Sequence, residues 1–113
     1  MNYEITATVD FERNLKRLSK KYFSLSDDYE NFLKELLKNP KIGDDLGDNT
    51  RKVRMAIASK NKGKSGGARV ITYNFWVNEA NSKIYLLTIY DKGEQSSISK
   101  KEIRELKQAN GLI

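Results

Sequence analysis

The chain has 113 residues, 38% apolar and 32% charged, which suits one globular domain over residues 1–113 and excludes both a disordered tail and two separate cores. Its net charge of +6 points to an anionic partner, nucleic acid or an acidic protein, although a basic surface kept for solubility gives the same balance. Lacking cysteine and histidine, it excludes disulfides, thiolate metal sites and every Ser–His or Cys–His nucleophile pair, so proton transfer falls to Lys, Tyr, Asp, Glu or a held water.

The N-terminal stretch has neither the basic leader nor the long apolar core of a signal peptide. No apolar run reaches the ~20 residues of a bilayer span, so a cytoplasmic location and no membrane association are expected. From Tyr3 to Val9, apolar Tyr3, Ile5, Ala7 and Val9 alternate with Glu4, Thr6 and Thr8, which predicts a half-buried strand. Asp10 is a candidate N-cap for a first helix. Phe11, Leu15, Leu18 and Tyr22 or Phe23 make its apolar stripe, and Arg13, Lys16, Arg17, Lys20 and Lys21 its basic faces. After a break, Ser26 or Asp27 can cap a second helix. Tyr29, Phe32, Leu33, Leu36 and Leu37 form its core stripe, and Asn39-Pro40 ends it. Two short-linked amphipathic helices imply a helical hairpin laid on a sheet.

Residues 41–50 are predicted to be a polar loop. Asp44, Asp45 and Asp48 lie near Gly43 and Gly47, but the ligand order and closing glutamate of an EF-hand are missing. Residues 51–59 alternate Val53, Met55 and Ile57 with Lys52, Arg54 and Ala56, a strand with a basic first half. The following stretch sets Lys60, Lys62 and Lys64 at spacing two beside Ser65-Gly66-Gly67, then enters a strand over 68–77 led by Arg69. Gly66 and Gly67 allow positive φ or close approach, and their amides can cradle an anion. The residues therefore read either as a phosphate-contacting edge or as an ordinary solvated hairpin loop. A nucleotide-hydrolase phosphate loop is excluded, because Gly63-Lys64-Ser65 has no upstream glycine at the required spacing and precedes a strand.

Residues 78–82 are a hairpin loop, and 83–90 form a strand apolar on both faces, hence central and covered on both sides. Residues 91–95 turn the chain. Ser99 and Glu102 make a capping box for a last helix whose apolar side is Ile103, Leu106 and Ala109, closed by Gly111. The string β-α-α-β-β-β-α gives an α+β fold: a small, mainly antiparallel twisted sheet with an N-terminal helical hairpin packed on it and a C-terminal helix.

Lys52-Val-Arg54, the run Gly63-Lys-Ser-Gly-Gly-Ala-Arg69-Val-Ile-Thr-Tyr73, and Ile84-Tyr-Leu-Leu-Thr-Ile-Tyr90-Asp-Lys92-Gly-Glu94, in that order, resemble the RelE/ParE toxin superfamily, most closely its HigB-like members. The resemblance implies a RelE-like fold and the toxin of a type II toxin–antitoxin system. Such a toxin is an mRNA interferase that cleaves ribosome-bound mRNA without metal or cofactor, contacts ribosomal RNA, and is neutralised by an acidic antitoxin. By matched motif, Arg69 is the arginine after the glycine turn that helps hold the scissile phosphate. Lys92 is the basic residue after the last strand, and Arg54 belongs to the same basic region. Some relatives carry a tyrosine base in the C-terminal helix. This helix has none, and Tyr90 is the substitute by alternation or a buried strand aromatic.

In-line attack by a ribose 2′-hydroxyl requires a base, stabilisation of a phosphorane and an acid. With no histidine, charge stabilisation by Arg69 and lysines carries most of the catalysis. Lys92 is then the general acid, and a turn lysine or Tyr90 the base. Lys52, Lys60, Lys62 and Lys64, with Lys16, Arg17 and Lys20 of the first helix, would contact RNA, the helix residues through its backbone. Two alternatives stand: a ParE-like gyrase-inhibiting toxin, which needs no catalytic cluster, and a non-catalytic RNA-binding module on the same basic face. A helix-turn-helix regulator fits poorly, because the helical hairpin runs into a sheet.

Overall fold

Over residues 2–113, which the computed structural model describes, the elements are β1 (Asn2–Ala7), α1 (Val9–Lys21), α2 (Leu25–Lys38), β2 (Asp44–Gly47), β3 (Thr50–Met55), β4 (Ala68–Trp76), β5 (Asn81–Asp91) and α3 (Lys100–Ala109), with a 3-10 turn at Ala58–Lys60. The strands lie in the order β1-β5-β4-β3-β2. β1 runs parallel to β5 and every other pair is antiparallel, so the α+β fold is built on a five-stranded mixed sheet.

The segment predicted as a loop over 41–50 contains β2, an element absent from the β-α-α-β-β-β-α string. Asp44 and Asp45 pair with Lys52 and Arg51, and the connecting Asp48 and Asn49 both take left-handed backbone, φ 50° and 58°. Asp and Asn tolerate that conformation best among side-chain-bearing residues, so a tight hairpin forms without any apolar alternation. The adjoining strand is shorter than the expected 51–59, because the chain leaves the sheet after Met55 for the 3-10 turn.

The caps also differ from expectation. Thr8, not Asp10, caps α1: its hydroxyl accepts the Phe11 N–H at 3.2 Å and donates to the Leu86 carbonyl at 2.8 Å, joining the helix start to β5. Asp10 sits in the first turn, where its charge suits the helix dipole, and pairs with Arg13 at 2.7 Å. α2 begins at Leu25, before Ser26 and Asp27. Ser24 stands at its cap but spends its hydroxyl on Asp28 and Ser59. At α3 the capping box forms as expected, with the Glu102 N–H donating to the Ser99 hydroxyl at 3.0 Å.

The sheet buries a different core on each face. Phe11, Leu18, Leu25, Phe32 and Leu36 of the helical hairpin pack on Val53, Met55, Val70, Ile84, Leu86 and Ile89. Of the two candidates at the end of α1, Tyr22 packs inward and Phe23 is 92% exposed. On the opposite face a smaller cluster of Ile71, Leu87 and Tyr90 meets Ile103 of α3, while Ala109 faces solvent. Between Ile71 and Thr72 the pairing skips Leu87, a bulge in β5 that puts Leu86 and Ile89 on one face and Leu87 and Tyr90 on the other. β5 lies between β1 and β4 and is buried along its second half, as its two apolar faces predict.

Candidate active site

Antiparallel partners share a face, so the register defines a row of side chains. Arg54 lies opposite Arg69, and Arg69 opposite Tyr90, on the face away from the helical hairpin. Lys52 is two residues along β3 and shares that face. Lys92 follows the end of β5, with its backbone N–H bonded to the Gly67 carbonyl at 3.0 Å and its Nζ to the Ser96 carbonyl at 3.3 Å. Arg54 is exposed and has no ion-pair partner among the described residues.

Arg69 is different. It is 6% exposed, and its guanidinium donates to the carbonyls of Lys64, Ala68 and Ser65 at 3.2, 3.2 and 3.0 Å. Three carbonyls of one turn converge on it, so Arg69 holds the glycine turn in shape and places positive charge beneath it. Gly67 is required by close approach and not by positive φ, since a Cβ there would collide with the Met55 carbonyl oxygen. The left-handed residues of the loop are Asn61, φ 59°, and Gly63, φ 65°.

Tyr90 lies in the apolar cluster with its hydroxyl buried and unpartnered. Burial pushes that hydroxyl above its ordinary value, with the Arg69 charge opposing. A tyrosine raised in this way is a weaker source of phenolate at neutral pH.

The turn lysines separate by environment. Lys60 is turned inward: its Nζ bonds the Asp91 carboxylate at 2.7 Å and lies 5.7 Å from the centroid of the Tyr22 ring. Lys64 pairs with Glu35 of α2. Lys62 is exposed and without a partner among the described residues. On α1, Arg17 reaches Glu94 at 3.3 Å, while Lys16 and Lys20 are exposed and make no ion pair among the described residues.

Two buried carboxylates that the sequence reading had not singled out fasten this loop. Asp28 accepts the Ala58 N–H at 3.1 Å and the Ser24 hydroxyl at 2.7 Å, and Ser24 in turn accepts the Ser59 N–H at 2.9 Å. Asp91, 1% exposed, accepts from Lys60, Tyr22 and the Gly93 N–H. Burial alone would raise the Asp91 carboxyl. The hydrogen bonds from Lys60, Tyr22 and Gly93 outweigh it and hold the group at about 2. Asp91 ends an apolar strand inside a recognised motif, and that placement was its one available signal.

On this face Arg54 is exposed and Lys52 and Lys92 are half-buried, while Arg69 and Tyr90 are buried beside the glycine turn, so positive charge reaches the surface along one edge of the row. Residues 13–113 match the family model described as the RelE toxin of the RelE / RelB toxin–antitoxin system. The chain belongs to the RelE toxin family, whose members are the toxin halves of toxin–antitoxin pairs. No helix among the described residues is long and apolar enough to cross a membrane.

Proposed function

We propose that this chain is a ribosome-dependent mRNA endoribonuclease of HigB-like type, a single toxin domain acting in the cytoplasm. It would cleave by 2′-hydroxyl attack without metal or cofactor and be neutralised by an acidic antitoxin that covers its basic face. The observation that supports this most directly is the row of exposed Arg54, buried Arg69 and Tyr90 on one sheet face with Lys92 at its end.

The roles follow from what each side chain is already committed to. Arg54, exposed and unpaired, grips the scissile phosphate bidentately. Arg69 keeps part of its five-donor fork for the same phosphate after holding the turn. Lys92 donates the proton to the departing 5′-oxygen. With Lys60 and Lys64 engaged by carboxylates, Lys62 is the turn lysine left to take the 2′-hydroxyl proton, which it does only from its neutral amine form, becoming the ammonium. Neutral Tyr90, its hydroxyl buried, forms the apolar floor beside Arg69. Lys52 extends the basic face, and Lys16 and Lys20, with Arg17, contact ribosomal RNA backbone. Positioning by the ribosome supplies much of the rate, because the row is a surface and not a deep pocket.

Attack by the 2′-hydroxyl forms a bond to phosphorus and expels the 5′-oxygen. The products carry a 2′,3′-cyclic phosphate and a 5′-hydroxyl. Cleavage of message on programmed ribosomes is expected to yield those ends, and 5′-phosphate ends would rule the mechanism out.

A further inference from the structure

A second cleft opens between α3 and the β2–β3 hairpin, with a volume of about 500 Å³. Leu46, Thr50, Tyr73, Lys100, Arg104 and Lys107 are among its lining residues. Lys100, Arg104 and Lys107 stand at i, i+4 and i+7, one stripe of the helix. None of the three makes an ion pair among the described residues, and Asp48 is the one acidic side chain in the lining.

Lys107 is the unusual member. It is only 6% exposed, and its Nζ sits 4.7 Å from the centroid of the Tyr73 ring. A cation stripped of most of its water, with no ion pair and only a ring face and the Asp48 charge to compensate it, is costly unless a further anion arrives. Burial also pushes its ammonium below the ordinary lysine value, with Asp48 opposing. The opposite flank of α3 carries Glu102 and Glu105 toward Arg13 and Arg17 of α1 across another cleft. The helix thus sorts its charges, leaving the basic side over β3 and β4.

Thr50 and Tyr73 are paired across β3 and β4, and they lie four residues along the same face from the pair Arg54 and Arg69. At ~3.3 Å per residue the separation is about 13 Å, a span that a few nucleotides of extended RNA cover. We propose that this cleft is a second phosphate-binding subsite, which takes a backbone phosphate of single-stranded RNA a few nucleotides from the bond held by Arg54 and Lys92. The proposal rests on reading that face as an RNA site. It adds an anchor that fixes the direction in which the strand crosses the sheet.

The test is titration of the full chain with a short single-stranded RNA carrying 2′-methoxy groups, which cannot be cleaved, followed by backbone and ammonium NMR shifts. Inorganic phosphate and poly-glutamate are titrated in parallel. Lys107→Met is expected to weaken RNA binding roughly tenfold and to lower the slope of log affinity against log salt by about one, without loss of folding. Arg104→Gln, at an exposed position, is expected to weaken binding in the same direction. Unchanged RNA affinity in both variants would overturn the subsite. Shifts at Thr50 and Lys107 with poly-glutamate but not RNA would make the cleft a protein-docking site. Shifts with free phosphate alone would remove the strand assignment. Lys107-dependent RNA binding by a protein that leaves ribosome-bound message intact would refute the nuclease reading and spare the subsite; normal cleavage with unchanged affinity would do the reverse.

Discussion

Lys60 and Asp91, thirty-one positions apart, meet in a 2.7 Å ion pair on a carboxylate that is 1% exposed. The pair ties the lysine-rich loop to the end of β5, one residue before Lys92. Removing Lys60 leaves the buried Asp91 charge with Tyr22, the Gly93 N–H and Lys21 at 3.6 Å as partial compensation, still costlier than removing both. Lys60→Met is therefore expected to destabilise the fold by about 3 kcal/mol, and the double change Lys60→Met/Asp91→Leu by less than the sum of the single changes. Urea denaturation of the four proteins of the cycle measures the coupling. Strict additivity would mean that the pair does not hold the loop.

Acid should find the same anchor. The Asp91 carboxyl falls from 3.8 to about 2 in the folded protein, so the unfolded chain binds its proton first. Its contribution to stability, about 2 kcal/mol, is fully present above the unfolded value and is lost as pH falls through the folded one. Unfolding free energy measured between pH 5 and 2 is expected to drop more steeply in the wild type than in Asp91→Asn.

Gly67 is expected to tolerate no side chain. An alanine Cβ would meet the backbone at Met55, Ala56 and Ile57, none of which is the yielding end of a flexible side chain. A loss of roughly 1–3 kcal/mol is expected from that overpacking. Gly63→Ala meets open space and carries only the backbone strain of φ 65°, about 1 kcal/mol. Thermal melts of the two variants rank them, and equal losses would contradict the close-approach reading.

Lys107 titrates in the other direction. Its folded value is lowered chiefly by burial, so the unfolded chain holds its proton to higher pH. Stability is expected to rise as pH climbs through the folded value toward 10.5 in the wild type, and that rise should be missing in Lys107→Met. Calorimetry between pH 8 and 10.5 reads the difference.

Periodicity made most of the fold legible, because the core stripes of α1 and α2 and the alternation of the long strands are properties of neighbouring residues. β2 was not legible. Asp44-Asp45-Leu46-Gly47 has no apolar period, and its strand exists through backbone pairing and the left-handed Asp48 and Asn49. The row Arg54, Arg69 and Tyr90 followed from motif and register, but the commitments of its neighbours did not. Lys60, Lys62 and Lys64 are equivalent in sequence, and contacts made with Asp91 and Glu35, remote along the chain, distinguish them. Lys107 carried a local signal: it lies four residues after Ile103 and so on the inward face of α3. A charged residue on that stripe reads as surface until burial is seen.

On the proposed mechanism, Arg54 and Lys92 act on a phosphodiester while Arg69 chiefly builds the turn beneath it. Primer extension on message from cells given a brief pulse of toxin tests it most directly, with wild type beside Arg54→Ala/Lys92→Ala. Folding of the double variant is verified by its melting curve. Codon-spaced cuts within translated regions are expected in wild type and absent from the folded double variant. Growth arrest with intact message, or an unchanged cutting pattern in the variant, would contradict the account.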